Sequence, residues 1–277
     1  MVLALFLDLP LDQLLFSPQD WYGRLFAVIG PLPGLVVMSF SGLLLVYLCS
    51  NHPWYIRAAS WIVYAVLLGG GTWFVGHAAN ESLGFRPWAA LLVGALIVAG
   101  CDLVLLFCVR GSDVQTLWHL TWFLLFVSVG TFAAVNLIKE FWNRPRYYAI
   151  ASHPEILFRS WLQPQLTPAS VLGARYGLPA DAFKSFPSGH TACAAIGLAL
   201  YALSGCIPSW KGKGDIVISI AMLWTVLTAF SRMILGMHFL SDVTASLLIF
   251  LLFVWMADQF ASYRSKKKSR THKKKTE

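Results

Sequence analysis

The sequence predicts an all-α protein, a polytopic transmembrane bundle of about seven spans, and three observations carry that expectation. Of 277 residues, 57% are hydrophobic and only 12% are charged, with a mean hydropathy of +0.65. That balance is too apolar for a soluble domain of this size. Apolar stretches of about 20 residues, the length that crosses a hydrocarbon core roughly 30 Å thick, recur along the chain. A dense run of cations follows the last stretch and supplies almost all of the net charge of +8.

Residues 1–26 read as an interfacial N-terminal segment. Asp8, Pro10 and Asp12 interrupt its apolar run, and it lacks the basic start of a cleavable signal peptide. Candidate spans follow at about 27–49, 58–78 and 88–109, forming an N-terminal group within residues 27–116. Gly30, Pro31 and Pro33 weaken the first of these, so six crossings are the alternative count. A core over residues 117–259 holds further spans at about 117–139, 188–206, 215–235 and 239–259. The 147–186 connection inside it is long and carries Pro154, Pro164, Pro168 and Pro179. Ile156, Leu157, Phe158, Trp161 and Leu162 beside Arg159 predict a short amphipathic piece there, resting on the membrane. Residues 260–277 form a basic tail, with Arg264, Lys266, Lys267, Lys268, Arg270, Lys273, Lys274 and Lys275 against Glu277. No internal repeat or second domain is visible, and the five cysteines have neither disulfide nor metal spacing. Asp102 and Asn136 are expected to form a polar network within the bundle, while His77 and His119 sit near span ends.

The basic tail reads as a cytoplasmic topology anchor rather than a nucleic-acid site, because no recognition element accompanies it. Counting crossings backward from it places Lys139 to Arg146, Pro187 to His190, and Ser231 to Asp242 on one face, opposite the tail. Arg57, Arg110, Lys211 and Lys213 fall on the tail side. Fixed cations on the outer face require an anionic partner.

Each of the three segments supplies part of a phosphate site. His238 and Asp242 stand four apart and share one helix face. Asp242 can accept a proton from one imidazole nitrogen and leave the other free as a nucleophile. Arg232 is placed to hold phosphate oxygens. Ser188 and Gly189 open a helix whose free amides form an anion site, and His190 projects from that first turn to serve as a proton donor. Lys139 and Arg146 add cations, and Arg144 is a possible additional phosphate contact.

Lys139 with Arg146, the Pro187-Ser188-Gly189-His190 run, and Ser231-Arg232 with His238 and Asp242 together resemble the signature segments of the type 2 phosphatidic acid phosphatase (PAP2) superfamily. In one departure, Arg146 is followed by Tyr147 and the proline stands at 145. The resemblance implies a helical phosphatase core needing neither metal nor cofactor. It assigns His238 as the nucleophile that forms a phosphohistidine, Asp242 as its orienting group, and His190 as the acid that protonates the leaving group. Lys139, Arg146, Ser188, Gly189 and Arg232 would bind phosphate.

The partner so implied is a phosphorylated lipid reached from the bilayer, with undecaprenyl diphosphate favoured for a bacterial source. Phosphatidic acid, phosphatidylglycerol phosphate and lipid A are further choices. A soluble ester, as for glucose-6-phosphatase, a phosphotransfer reaction, or a non-enzymatic phosphate-binding transporter are the competing readings. A bacterial plasma membrane is the favoured location. The Lys274-Lys275-Thr276-Glu277 ending fits endoplasmic reticulum retrieval if the source is eukaryotic.

Overall fold

The computed structural model describes residues 1–276, with side chains through residue 262. The cations of the basic tail, Arg264 onward, therefore lie outside the described side chains. Among the described residues every regular element is helical. In chain order these are α1 (Ala4–Leu15), α2 (Trp21–Ile29), α3 (Leu32–Leu48), α4 (Trp54–Leu83), α5 (Pro87–Val109) and α6 (Val114–Trp142). Then follow α7 (Tyr147–Ser152), α8 (Ala169–Tyr176), α9 (Gly189–Ile196), α10 (Gly214–Ile234) and α11 (Leu240–Thr276).

Among the described residues six helical stretches are long and apolar enough to cross a membrane: α2 with α3, and each of α4, α5, α6, α10 and α11. The segment expected at 188–206 is built differently. It runs as eight residues of α-helix in α9 and then as nine residues of 3-10 helix, Gly197–Gly205. Because 3-10 helix rises about 2.0 Å per residue against about 1.5 Å in an α-helix, this short segment still spans about 30 Å. The expected weakness of the first span proves to be a joint: α2 ends at Ile29, and α3 restarts after Pro31.

The α9 segment is the axis of the bundle. Every residue from Thr191 to Ala199 is buried, and α3, α6, α10 and α11 pack around it. Its Ala-rich face, Ala192, Ala194 and Ala195, lets neighbours approach closely. The closest crossing is with α3, where a Cβ placed on Gly34 would lie 1.8 Å from the Cys193 carbonyl oxygen. By contrast α4 and α5 turn Trp61, Ile62, Val66, Leu96, Val104 and Phe107 outward, as lipid-facing helices do.

Within α5, Asp102 is fully buried and accepts a hydrogen bond from Ser39 of α3 at 3.0 Å. Asn136 does not join it. It is exposed on α6 and donates to the Phe132 carbonyl of its own helix, which satisfies the amide without a cross-helix partner. His77 and His119 are exposed.

The ends of α6 and α10 and the starts of α9 and α11 meet at one end of the bundle, and the 147–186 connection covers that end. Ala149, Ile156, Ala169, Leu172, Ala182 and Phe183 give the connection a small apolar core of its own. The expected amphipathic piece around 156–162 is irregular rather than helical. Its carbonyls are committed elsewhere: Arg159 accepts from the Arg144 side chain, and Trp161 accepts from Trp142 Nε1.

At the same end, α1 is turned polar side in. Asp8 and Asp12 are buried, whereas Val2, Leu3, Phe6 and Leu14 face outward. Its exit is fixed by a bond from the Ser17 amide to the Ile234 carbonyl at 2.8 Å.

The α3–α9 crossing yields the first prediction. Gly34→Ala should destabilise the protein by about 3 kcal/mol or more, since the methyl group meets backbone rather than a movable side chain. Gly100→Ala is the control, with nothing within 4 Å of the added carbon. Thermal unfolding in detergent that shows equal midpoints for the two variants would contradict this packing.

Candidate active site

His238 sits in the five-residue link between α10 and α11, which turns on Gly236 at a φ of +64°. A side chain there would be strained, and its Cβ would also meet Phe16 at 2.7 Å. The Gly236 carbonyl accepts from the Tyr148 amide at 3.0 Å, tying the link to α7. The turn buries the His238 ring almost completely.

His238 Nδ1 lies 2.6 Å from the backbone carbonyl of Ser185, which can only accept a hydrogen bond. Nδ1 therefore carries the proton, and Nε2 keeps its lone pair. Asp242 was the expected acceptor, but its Oδ2 stands 3.7 Å from Nδ1, behind the carbonyl contact. That oxygen instead accepts from Ser185 Oγ at 2.5 Å and from the Phe239 amide at 2.8 Å. The second bond caps the first turn of α11 from within, in the manner of an acidic residue at the third helical position. Asp242 thus acts on His238 through charge and through Ser185, a residue that no sequence motif singled out.

His238 lies outside the spans and is held neutral. Burial, only partly offset by the Asp242 carboxylate, lowers its pKa from 6.5 to about 3, and the Lys139 and Arg146 charges add to the drop.

Ser188 is the N-cap of α9. Its Oγ accepts from the Thr191 amide at 3.4 Å and from the Thr191 hydroxyl at 3.0 Å. Its backbone is clamped to α11: the Ser188 amide donates to Asp242 O, and Ser246 Oγ donates to Ser188 O. The amides of Gly189 and His190 follow at the first turn, where no helical carbonyl precedes them. Lys139, in the last turn of α6, reaches over this turn, with Nζ 3.7 Å from where a Gly189 Cβ would be. His190 packs against Phe74 of α4, with ring centroids 4.9 Å apart, and its Nε2 has no protein partner. Arg232 is buried at the end of α10 with its Nε unpartnered.

Arg146 is engaged by two protein groups. Its Nη2 pairs with Asp181 at 2.5 Å and its Nη1 contacts Met237 Sδ at 2.9 Å, which leaves Nε without a partner. Arg144 requires a correction. It is completely buried, and its guanidinium is consumed by the protein. Nη1 bonds to Asp242 Oδ1 at 2.5 Å and Ser241 Oγ at 2.7 Å, Nη2 to Asp8 Oδ2 at 2.8 Å, and Nε to the Arg159 carbonyl at 2.8 Å. Its face covers the Phe239 ring at 4.1 Å. It is therefore the counter-ion of Asp242, and each of its three guanidinium nitrogens is bonded within the protein.

Asp12, one turn beyond Asp8 on α1, has no hydrogen-bond partner for either carboxyl oxygen. Burial raises its pKa from 3.8 to about 9, and the neighbouring Asp242 and Asp8 charges push the same way. It is neutral at pH 7, so Asp8, Arg144 and Asp242 together carry one net negative charge behind His238.

Asp8, Ser185 and Ser241 were missed as site residues. The one available signal was the spacing of Asp8 and Asp12, which puts two acids on the same face of an otherwise apolar helix.

Two predictions follow from these contacts. Arg144→Met should cost about 3–5 kcal/mol, because Asp8 and Asp242 remain buried without their shared cation; chemical unfolding in detergent measures it. Between pH 3 and 6.5 the unfolded chain binds a proton at His238 that the folded chain does not. Stability should therefore rise with pH through that window and be full above it. The wild-type minus His238→Asn difference in unfolding midpoint isolates this component, and a flat difference would contradict it.

The family model described as the PAP2 superfamily matches residues 120–266. No curated protein and no solved structure gives a match. The match covers more than half of the chain and contains Lys139, Arg146, Ser188, His190, Arg232, His238 and Asp242, so this chain belongs to the PAP2 superfamily of phosphatases.

Proposed function

We propose that the protein is an integral membrane phosphatase that hydrolyses a lipid phosphate or diphosphate through a phosphohistidine at His238. The observation that carries the reading is the single-tautomer imidazole, Nδ1 tied to Ser185 O, beside Arg146 and Arg232, each of whose Nε lacks a partner among the described residues. An imidazole held this way can do nucleophilic chemistry on a bound anion.

In the proposed reaction, His238 Nε2 attacks phosphorus while the bond to the leaving oxygen breaks. His190, protonated once the anionic substrate is bound, gives its proton to that oxygen. Water then attacks the phosphohistidine with His190 accepting its proton, and the Nε2–P bond breaks to release inorganic phosphate. Lys139, Arg146, Arg232, Ser188 and the amides of the α9 first turn spread the charge of the transferring group, the main catalytic demand of such a transfer. The mechanism calls for no metal.

A lipid substrate is supported by the site's position at the span ends, where headgroups reside. Exposed Leu137, Phe141, Leu157, Leu162 and Leu166 flank it. An isoprenoid diphosphate, undecaprenyl diphosphate, is the first substrate to test. In this reading the site faces outward or into a lumen, with Arg57, Arg110, Lys211, Lys213 and the tail cytoplasmic.

The test is phosphate release from a panel of detergent-dispersed lipids, isoprenoid diphosphate and phosphatidic acid included, beside soluble sugar phosphates. Lipids should be preferred, and His238→Ala should lower release by about four orders of magnitude. Activity should survive EDTA. Preference for the soluble esters would overturn the lipid assignment, and full activity in His238→Ala would overturn the nucleophile.

A further inference from the structure

We infer that Asp8, contributed by the N-terminal helix outside the matched family region, is a positioning residue for the catalytic histidine. The inference rests on the proposed phosphohistidine reaction. Both Asp8 oxygens are committed to the start of α11 and to Arg144. Oδ1 accepts the Ser241 amide at 2.8 Å, and Oδ2 accepts the Ser241 hydroxyl at 2.6 Å and Arg144 Nη2 at 2.8 Å. Asp8 is 1% exposed, so water cannot substitute for these contacts.

Two consequences follow for His238. Geometrically, Asp8 caps from outside a helix start whose Ser241 amide would otherwise be unpaired. Ser241 is bracketed by Asp242 on one side and the Phe239 turn on the other. Holding Ser241 therefore holds the Asp242 carboxylate and the chain leading to His238. The α1 helix is itself registered by the Ser17 to Ile234 bond and by Phe16 against Tyr147, with centroids 5.1 Å apart.

Electrostatically, attack by Nε2 while Nδ1 keeps its proton makes the ring cationic. Arg144 paired with Asp242 alone would present no net charge to that cation. Asp8 takes up the second half of the guanidinium, and the trio keeps one negative charge to stabilise the phosphorylated ring.

The test compares Asp8→Asn, Asp8→Glu and Ser241→Ala with the wild-type protein and His238→Ala, measuring kcat, KM and unfolding midpoint in detergent. Asp8→Asn keeps the shape and one acceptor but loses the charge. It should lower kcat about 100-fold with KM within about threefold, as displacement of a reacting group does. Asp8→Glu should recover part of that loss. Ser241→Ala, a small change that keeps both charges, should lower kcat about threefold to tenfold. Should Asp8→Asn not fold, the Ser241→Ala kcat decides alone.

Wild-type kcat in Asp8→Asn, or in Ser241→Ala when only that variant folds, overturns the inference, as does a loss confined to KM. In those cases the wild type is active and His238→Ala is not, so the phosphatase reading stands. A wild-type protein that releases no phosphate from any substrate overturns that reading and the inference with it.

Discussion

A guanidinium with no access to water must find all its counter-charges and acceptors inside the protein, and Arg144 organises one end of this bundle around that requirement. Its partners come from three separate parts of the chain: Asp8 in α1, Arg159 in the long connection, and Ser241 and Asp242 at the start of α11, with Phe239 stacked beneath. Losing any one leaves a buried charge or donor unpaired, at a cost of several kcal/mol. This explains why α1 presents its acids inward and its leucines outward, and why the 156–162 segment runs as irregular backbone. It needs its carbonyls free to accept.

The proposed catalytic arrangement is layered onto that cluster. Ser185 joins the two halves: its hydroxyl donates to Asp242, and its carbonyl accepts the hydrogen bond from His238 Nδ1–H. Its amide in turn donates to the Arg144 carbonyl at 3.0 Å. Behind the histidine Asp8, Arg144, Ser185, Ser241 and Asp242 bond to one another, and Asp12 is the unpartnered member of that side. In front of it, Arg146 Nε, His190 Nε2 and Arg232 Nε are left without partners among the described residues. The bonded network on one side fixes the imidazole, and the unpartnered donors on the other are where the proposed reading seats its anion. The bundle supports both by packing α9 on Gly34, so that the α9 N-terminus is anchored against α11 while its body is enclosed.

The fold class was legible because apolar length is a direct physical signature of membrane spans. Where reading fell short, the missing quantity was three-dimensional. The α9 segment looks like an ordinary span in sequence, and nothing in Gly197–Gly205 announces the 3-10 geometry that lets it cover its length. His238 and Asp242 stood out because their spacing implies a shared helix face, Ser188 and His190 because they open a helix, and Lys139 and Arg232 because they are cations on the face opposite the basic tail. Arg144 misled because a cation beside a phosphate-site motif reads as a ligand, whereas its role is decided by Asp8, 136 residues away. Ser185 acts through its backbone carbonyl as well as its hydroxyl, and a backbone atom leaves no signature in the side-chain pattern. Asp8 and Asp12 could have been paired from their spacing, but their partner could not be named without the fold.

The central claim is that His238 Nε2 forms the covalent bond to phosphorus. Its most direct measurement is rapid quench of the protein turning over a lipid phosphate labelled in the phosphoryl group, followed by mapping of the labelled peptide under alkaline conditions. The account predicts an acid-labile, alkali-stable phosphoryl group on His238, absent from the His238→Ala protein. Label on another residue, or single-turnover release of phosphate with inversion at phosphorus and no labelled protein, would contradict it.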